Sequence, residues 1–400
     1  MELRYTAEEI AFRDELRAFF RSQVPAAIRR KVSEGRALAR EDYVTSQRIL
    51  NAAGYAVPHW PREWGGQDWS PVQRYIHIEE LQAAAVPQPL GFNVSMVGPV
   101  IATFGSEAQK ARFLPGTANL DIWWAQGFSE PGAGSDLASL KTTARREGDD
   151  FIVNGQKTWT TLGQYADWIF CLVRTDPAAR KRQEGISFLL IDMKTPGITL
   201  RPIITIDGGH EVNEVFFDEV RVPAGNLVGE MNKGWDYAKF LLSNERIGIA
   251  RIGMTKERLA RVKRLAQETP AGEGMVWDDP DFRRRLAWSE IELKALEITQ
   301  MRVVAAQRGR ASDKPDPASS ILKIKGSEMQ QQATQLLMDV AGPYALPRPD
   351  RDEEGLNLPS VGPEWADAAA PLFFNYRKVS IYGGSNEIQR NIIAKAFLGL

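Results

Sequence analysis

Glu245 stands in Leu241-Leu-Ser-Asn-Glu-Arg-Ile-Gly-Ile249, and at helical spacing its neighbours are Ala238, Leu242, Ile249 and Ile252. A carboxylate in the middle of an apolar stripe is costly unless it is paired or used. Two arrangements fit: an ion pair with Arg246 or Arg251, or a general base whose pKa is raised by a dry pocket. A second stretch with chemical potential is Gly127-Phe-Ser-Glu-Pro-Gly-Ala-Gly-Ser-Asp136. Backbone this bare lets amide N–H groups approach a polyanion, and Ser135 adds a hydroxyl. A plain glycine-rich turn between a helix and a strand fits the same residues.

Other chemistries are poorly supplied. Cys171 is the one cysteine and lies in the apolar run Trp168-Ile-Phe-Cys-Leu-Val173, which reads as core rather than nucleophile. The three histidines, His59, His77 and His210, are far apart and lack zinc-ligand spacing, so no metal site is expected. Acidic and basic residues nearly cancel to a net charge of -1, unlike the basic footprint of a nucleic-acid binder. The cluster Arg283-Arg284-Arg285 reads as a solvated helix face. The first residues carry no apolar signal core and no apolar run reaches membrane length, so a soluble cytoplasmic protein is expected.

Around these residues the chain changes character twice. Residues 1–120 read as helical: Thr6 and Glu9 have capping-box spacing, as do Ser106 and Gln109, and apolar residues follow at helical intervals. Residues 121–230 hold short β-rich runs, including 151–153, 157–161, 168–174, 186–192 and 214–217, with Asn154-Gly155 as a hairpin signal. Residues 231–400 return to helical period, with long helices predicted over 235–267, 280–309, 318–341 and 368–397. Runs of one type followed by runs of another imply segregated domains.

The stretch 127–136 resembles the Thr-Glu-Pro-Gly-Ala-Gly-Ser-Asp signature of the acyl-CoA dehydrogenase family, with Ser129 in the threonine place. Asp150-Phe-Ile-Val-Asn-Gly-Gln-Lys-Thr-Trp-Thr-Thr161 resembles that family's next flavin-contacting strand, and Tyr382-Gly-Gly-Ser-Asn-Glu-Ile-Gln-Arg390 its third signature. The resemblance spans essentially the whole chain. It implies an α+β multidomain fold with an N-terminal helical domain, a β-barrel-like middle and a C-terminal four-helix bundle. It also implies bound FAD. Phe128 and Ser129 would lie beside the flavin ring, Ser135 at the pyrophosphate, and Trp159 and Thr161 over the ring. Ser385 and Glu387 would meet the flavin from the C-terminal segment.

The implied reaction is α,β-dehydrogenation of an acyl-CoA to the trans-2-enoyl-CoA, with an electron-transferring flavoprotein as acceptor. Most members place the base just after the tyrosine of the third signature. Here that position is Gly383, whose N–H would serve as an oxyanion donor. A minority supplies the base from an earlier helix, at the position of Glu245, and Arg246 matches an arginine near the CoA cleft. Ser135 and Arg246 would thus face substrate. The groups by which homotetrameric members hold a neighbour's ADP moiety are missing from 268–277 and 338–344. That pattern resembles catalytic subunits of two-gene bacterial dehydrogenases acting on bulky acyl-CoAs such as steroid side chains. There a paralogous partner completes a heterotetramer. A homo-oligomer using other local groups stays open. So do a flavin monooxygenase on the same fold, against which Glu245 argues, and a non-catalytic assembly subunit, against which the ring-side signatures argue. His210 either borders the cleft or is a surface loop residue.

Overall fold

Thr6 caps the first helix as its spacing predicts: its hydroxyl accepts from the Glu9 N–H, and the Glu9 carboxylate accepts from the Thr6 N–H. The computed structural model describes residues 4–244, 248, 250–307, 317–347 and 361–400. The N-terminal part holds α1 (Ala7–Gln23), α2 (Ala26–Glu34), α3 (Arg40–Ala52), α4 (Pro71–Ala83), a π-helical turn Phe92–Val97, α5 (Gly98–Phe104) and α6 (Glu107–Ala118). Helix α2 escaped the periodicity reading: only Ile28 of its nine residues is buried.

The middle part is one curled sheet. Its strands are β1 (Trp124–Gly127), β2 (Thr143–Glu147), β3 (Asp150–Thr161), β4 (Trp168–Arg174), β5 (Ile186–Asp192), β6 (Ile198–Ile204) and β7 (His210–Pro223). They pair in the order β1-β4-β2-β3-β7-β6, with β5 on β4. Both faces are covered, which is why β4 reads as an unbroken apolar run. Phe170 and Leu172 join the core shared with the N-terminal helices, and Ile169, Cys171 and Val173 join the core between the sheet's own strands. Cys171 is fully buried, and burial pushes its thiol up to about 12, so it is core and not nucleophile.

The hairpin expected at Asn154-Gly155 is not there. The chain turns at Gly148-Asp149, where Glu147 pairs with Asp150, and β3 runs straight through Asn154 and Gly155 with a bulge. Gly155 has φ +145°, and a Cβ there would lie 2.6 Å from Thr142 Oγ1 and 2.7 Å from its Cα. The glycine marks a close crossing of strands, not a turn.

The C-terminal part holds α7 (Gly234–Asn244), α8 (Ile252–Glu268), the two-residue strands β8 (Pro270–Ala271) and β9 (Gly274–Met275), α9 (Pro280–Gln307), α10 (Ala318–Ala341), α11 (Ala369–Asn375) and α12 (Asn386–Ile393). Helices α8 to α11 share one apolar core. Two predicted helices are broken. Residues 235–267 divide into α7 and α8, with Arg251 at φ +52° capping α8. Ala238 and Ile252 therefore stand on different helices. Residues 368–397 divide at a 3-10 turn, Tyr376–Ser380, and a loop carrying Gly383 and Gly384 at φ +67° and +83°. No described helix is long and apolar enough to cross a membrane.

Candidate active site

Lys157 is the anchor of the first signature, and sequence reasoning missed it. It is fully buried on β3 and its ammonium donates to Glu130 Oε1 at 2.7 Å, the Leu172 carbonyl at 2.8 Å and the Phe128 carbonyl at 3.3 Å. Glu130 also accepts from the Lys141 N–H at 2.6 Å and the Thr142 N–H at 2.9 Å. Burial alone would raise the Glu130 carboxyl, but Lys157 and these N–H donors hold it below the usual range. A salt bridge this deep is satisfied on both sides, so it fixes the loop rather than leaving a charge exposed to apolar surroundings.

What the anchor presents is bare backbone. Pro131, Gly132, Gly134, Ser135 and Asp136 are exposed, with open space where a Cβ would sit on either glycine. The Ser135 hydroxyl has no intrachain partner among the described residues. Phe128 turns its ring into the core, edge-on to Phe170 and Phe188, so only its main chain can face a ligand. Ser129 is half-buried, and its carbonyl accepts from the Thr158 N–H at 2.9 Å, which brings the first two signatures together.

The second signature ends in a strained bulge. Trp159 has φ +59° and its indole is 60 % exposed, although its neighbours Thr158 and Thr160 are buried. Thr161, the other residue expected over the ring, is half-buried, and Thr160 between them is buried. An aromatic ring held out of a sheet by left-handed backbone is a platform that a planar ligand can cover.

The third signature is tied to the second through Glu211. Its carbonyl accepts from the Leu162 N–H at 2.7 Å, and its carboxylate is held by Asn375 at 2.9 Å and by Lys378. Asn375 also donates to Asp207 at 3.0 Å. His210 is an exposed residue beside this junction. Its Nε2 bonds Asn213 Oδ1 at 2.7 Å, and Asn213 in turn donates to the Thr160 carbonyl at 3.0 Å. Beyond the junction, Gly383 is exposed with open space around its Cβ position, and Ser385 caps α12. Glu387 is exposed, and its own N–H and the Ser385 hydroxyl hold its carboxyl below the usual range. Glu245 and Arg246 lie outside the described residues; α7 delivers the chain to Asn244, with Leu241 buried in the core shared by the N-terminal helices and the sheet.

Three family models match in succession: acyl-CoA dehydrogenase N-terminal domain over residues 6–121, middle domain over 125–220 and C-terminal domain over 232–398. A curated relative, acyl-CoA dehydrogenase IpdE1 of Mycobacterium tuberculosis, is 38 % identical and aligns over 88 % of this chain and 86 % of its own. The ChsE4-ChsE5 complex from Mycobacterium tuberculosis superposes with a TM-score of 0.82 at 33 % identity, over 100 % of this chain and 99 % of the other. A structure titled Tcur3481-Tcur3483 steroid ACAD gives 0.85 at 32 % identity, again over 100 % and 99 %. The chain belongs to the acyl-CoA dehydrogenase family. It is an oxidoreductase that dehydrogenates acyl-CoA thioesters with FAD as cofactor. The bare loop, the outward indole and the glycine loop on α12 fit such a cofactor.

Proposed function

We propose that this chain is the flavin-ring-side, catalytic subunit of a heteromeric acyl-CoA dehydrogenase that converts bulky acyl-CoAs to their trans-2-enoyl-CoA products, with Glu245 as base. One observation carries the reading. The loop position that holds the base in most relatives is Gly383, left-handed and without any side chain. No acid stands there, and Glu245 follows directly on α7. The Glu245 carboxylate takes the α-proton; FAD, when bound, would supply the acceptor for the β-hydrogen and its electron pair. The Gly383 N–H stabilises the charge that grows on the thioester oxygen. Arg246 pairs with anionic groups of CoA. Phe128 and Ser129 would offer main chain to the flavin ring, Trp159 and Thr161 would cover it, Ser135 would hold the pyrophosphate, and Ser385 and Glu387 would approach from the α12 side.

The heteromer is supported by what stands where a homotetramer would hold its neighbour's ADP moiety. Asp339, at the end of α10, is a carboxylate bonded to Arg285 at 2.6 Å and to Gln335 at 3.0 Å. Where the homotetrameric pattern has a glutamine amide to donate, this acceptor is already engaged by Arg285 and offers no donor to a pyrophosphate. Two structural neighbours, the ChsE4-ChsE5 complex and the Tcur3481-Tcur3483 steroid ACAD, are named for two components, one of them for a steroid enzyme, which supports a paralogous partner and a polycyclic acyl chain. An electron-transferring flavoprotein is the acceptor on this reading. The test is native mass, flavin content and anaerobic flavin reduction by CoA thioesters with linear, branched and polycyclic chains. A stable homotetramer with one FAD per chain, reduced fastest by short linear chains, would sink the proposal.

A further inference from the structure

A polar ladder runs along one face of α10. Lys323, Ser327 and Gln331 are spaced four residues apart, so they point the same way, and each bonds the segment that carries the third signature. Gln331 donates to the Tyr376 carbonyl at 3.3 Å, the Arg377 carbonyl at 3.2 Å and the Ser380 hydroxyl at 3.3 Å. Ser327 and the Asn386 side-chain amide bond each other at 3.0 Å. Lys323 reaches further: its ammonium donates to the Val379 carbonyl at 2.9 Å and to Asn386 Oδ1 at 3.2 Å. Lys323, Val379 and Asn386 are all buried.

Val379 and Asn386 are the two ends of the loop that holds Gly383. Between them, the Ile381 and Tyr382 N–H groups turn back onto the Lys378 carbonyl and Gln389 donates to the Gly384 carbonyl at 3.4 Å. Ile381, Tyr382, Gly383 and Gly384 are exposed, and both glycines sit in left-handed conformations with no side chain to pack. A loop of this kind takes its geometry from its ends. A single ammonium bonded to both ends sets the distance between them, and a main-chain N–H misplaced by an ångström loses most of its effect on a transition state.

We propose that Lys323 is a positioning residue for the reaction, clamping both ends of the 380–385 loop so that the Gly383 N–H meets the thioester oxygen. This rests on Gly383 as the oxyanion donor. Lys323→Met keeps the bulk and removes the donor. In the FAD-loaded enzyme, with its partner subunit, the peptide spanning 380–386 is expected to exchange its amide hydrogens about tenfold or more faster, with other peptides unchanged. With the thioester that reduces wild-type flavin fastest, kcat is expected to fall about tenfold or more, a loss of ~1.4 kcal/mol or more in the transition state, while KM stays within about twofold. Unchanged exchange in that peptide overturns the clamp, whatever Gly383 does. Faster exchange with wild-type kcat overturns the role of the Gly383 N–H, and the positioning role with it. Asn386→Ala removes one end of the clamp and leaves Lys323 in place. It decides the matter if Lys323→Met does not fold, with the same two readouts moving in the same directions.

Discussion

Lys157→Met attacks the first signature at its anchor. Methionine conserves the volume of the lysine stem, so no cavity opens. The loss is electrostatic: three acceptors lose their donor, and Glu130 is left 7 % exposed without its ammonium. Removing one member of a buried ion pair costs about 3–5 kcal/mol. Glu130 keeps two main-chain N–H bonds, which places the loss near the lower end, at about 3 kcal/mol. Urea denaturation of the flavin-free chain measures this, and FAD affinity should fall with it, because the Phe128–Asp136 loop hangs from the same bonds. Adding Glu130→Gln removes the stranded charge and should return more than about 1 kcal/mol. The pair also sets an acid limb. Glu130 is held below its unfolded value of 4.5, so its contribution is complete above that value and is lost as pH falls through the lower, folded value. Without Lys157, burial raises the Glu130 carboxyl and acid unfolding moves to higher pH. A Lys157→Met chain that loses less than about 1 kcal/mol and binds FAD normally would refute this reasoning.

Trp159→Ala should weaken FAD binding while leaving the flavin-free chain within about 0.5 kcal/mol of wild type, since the indole is mostly exposed; flavin titration and urea midpoints separate the two. Gly155→Ala puts a methyl against Thr142 in a backbone region that alanine avoids, and should cost about 1–3 kcal/mol by urea denaturation. Burial pushes the Lys323 ammonium down to about 8, with Glu387 on α12 opposing the shift. The charged clamp is therefore complete below pH 8 and weakens as pH rises through it, because the neutral amine keeps two N–H donors but loses the charge that strengthens them. Single-turnover flavin reduction should carry an alkaline limb near pH 8 that Lys323→Met abolishes.

Local signals were legible and distant ones were not. The capping boxes at Thr6 and Ser106 and the helix 318–341 follow from neighbours in sequence, and the structure holds each of them. The order helical, β, helical also survives. Asn154-Gly155 misled because a glycine that admits a crossing strand looks like one that makes a turn; the crossing partner, Thr142, lies elsewhere in the chain. The helix over 235–267 broke because Arg251 takes a left-handed conformation, bonded to Gln88 far upstream. The pairing of Lys157 with Glu130 and the reach of Lys323 to the third-signature loop carried no sequence signal. A buried lysine and a surface lysine are the same letter, and their partners here stand 27 and 63 residues away.

The central claim is that Glu245 takes the α-proton because Gly383 cannot. Anaerobic stopped-flow reduction of the flavin in FAD-loaded Glu245→Gln tests it most directly. Flavin is expected at wild-type content, with reduction slowed by about three orders of magnitude, on the scale of a lost general base. Reduction at the wild-type rate would place the base elsewhere and contradict the account.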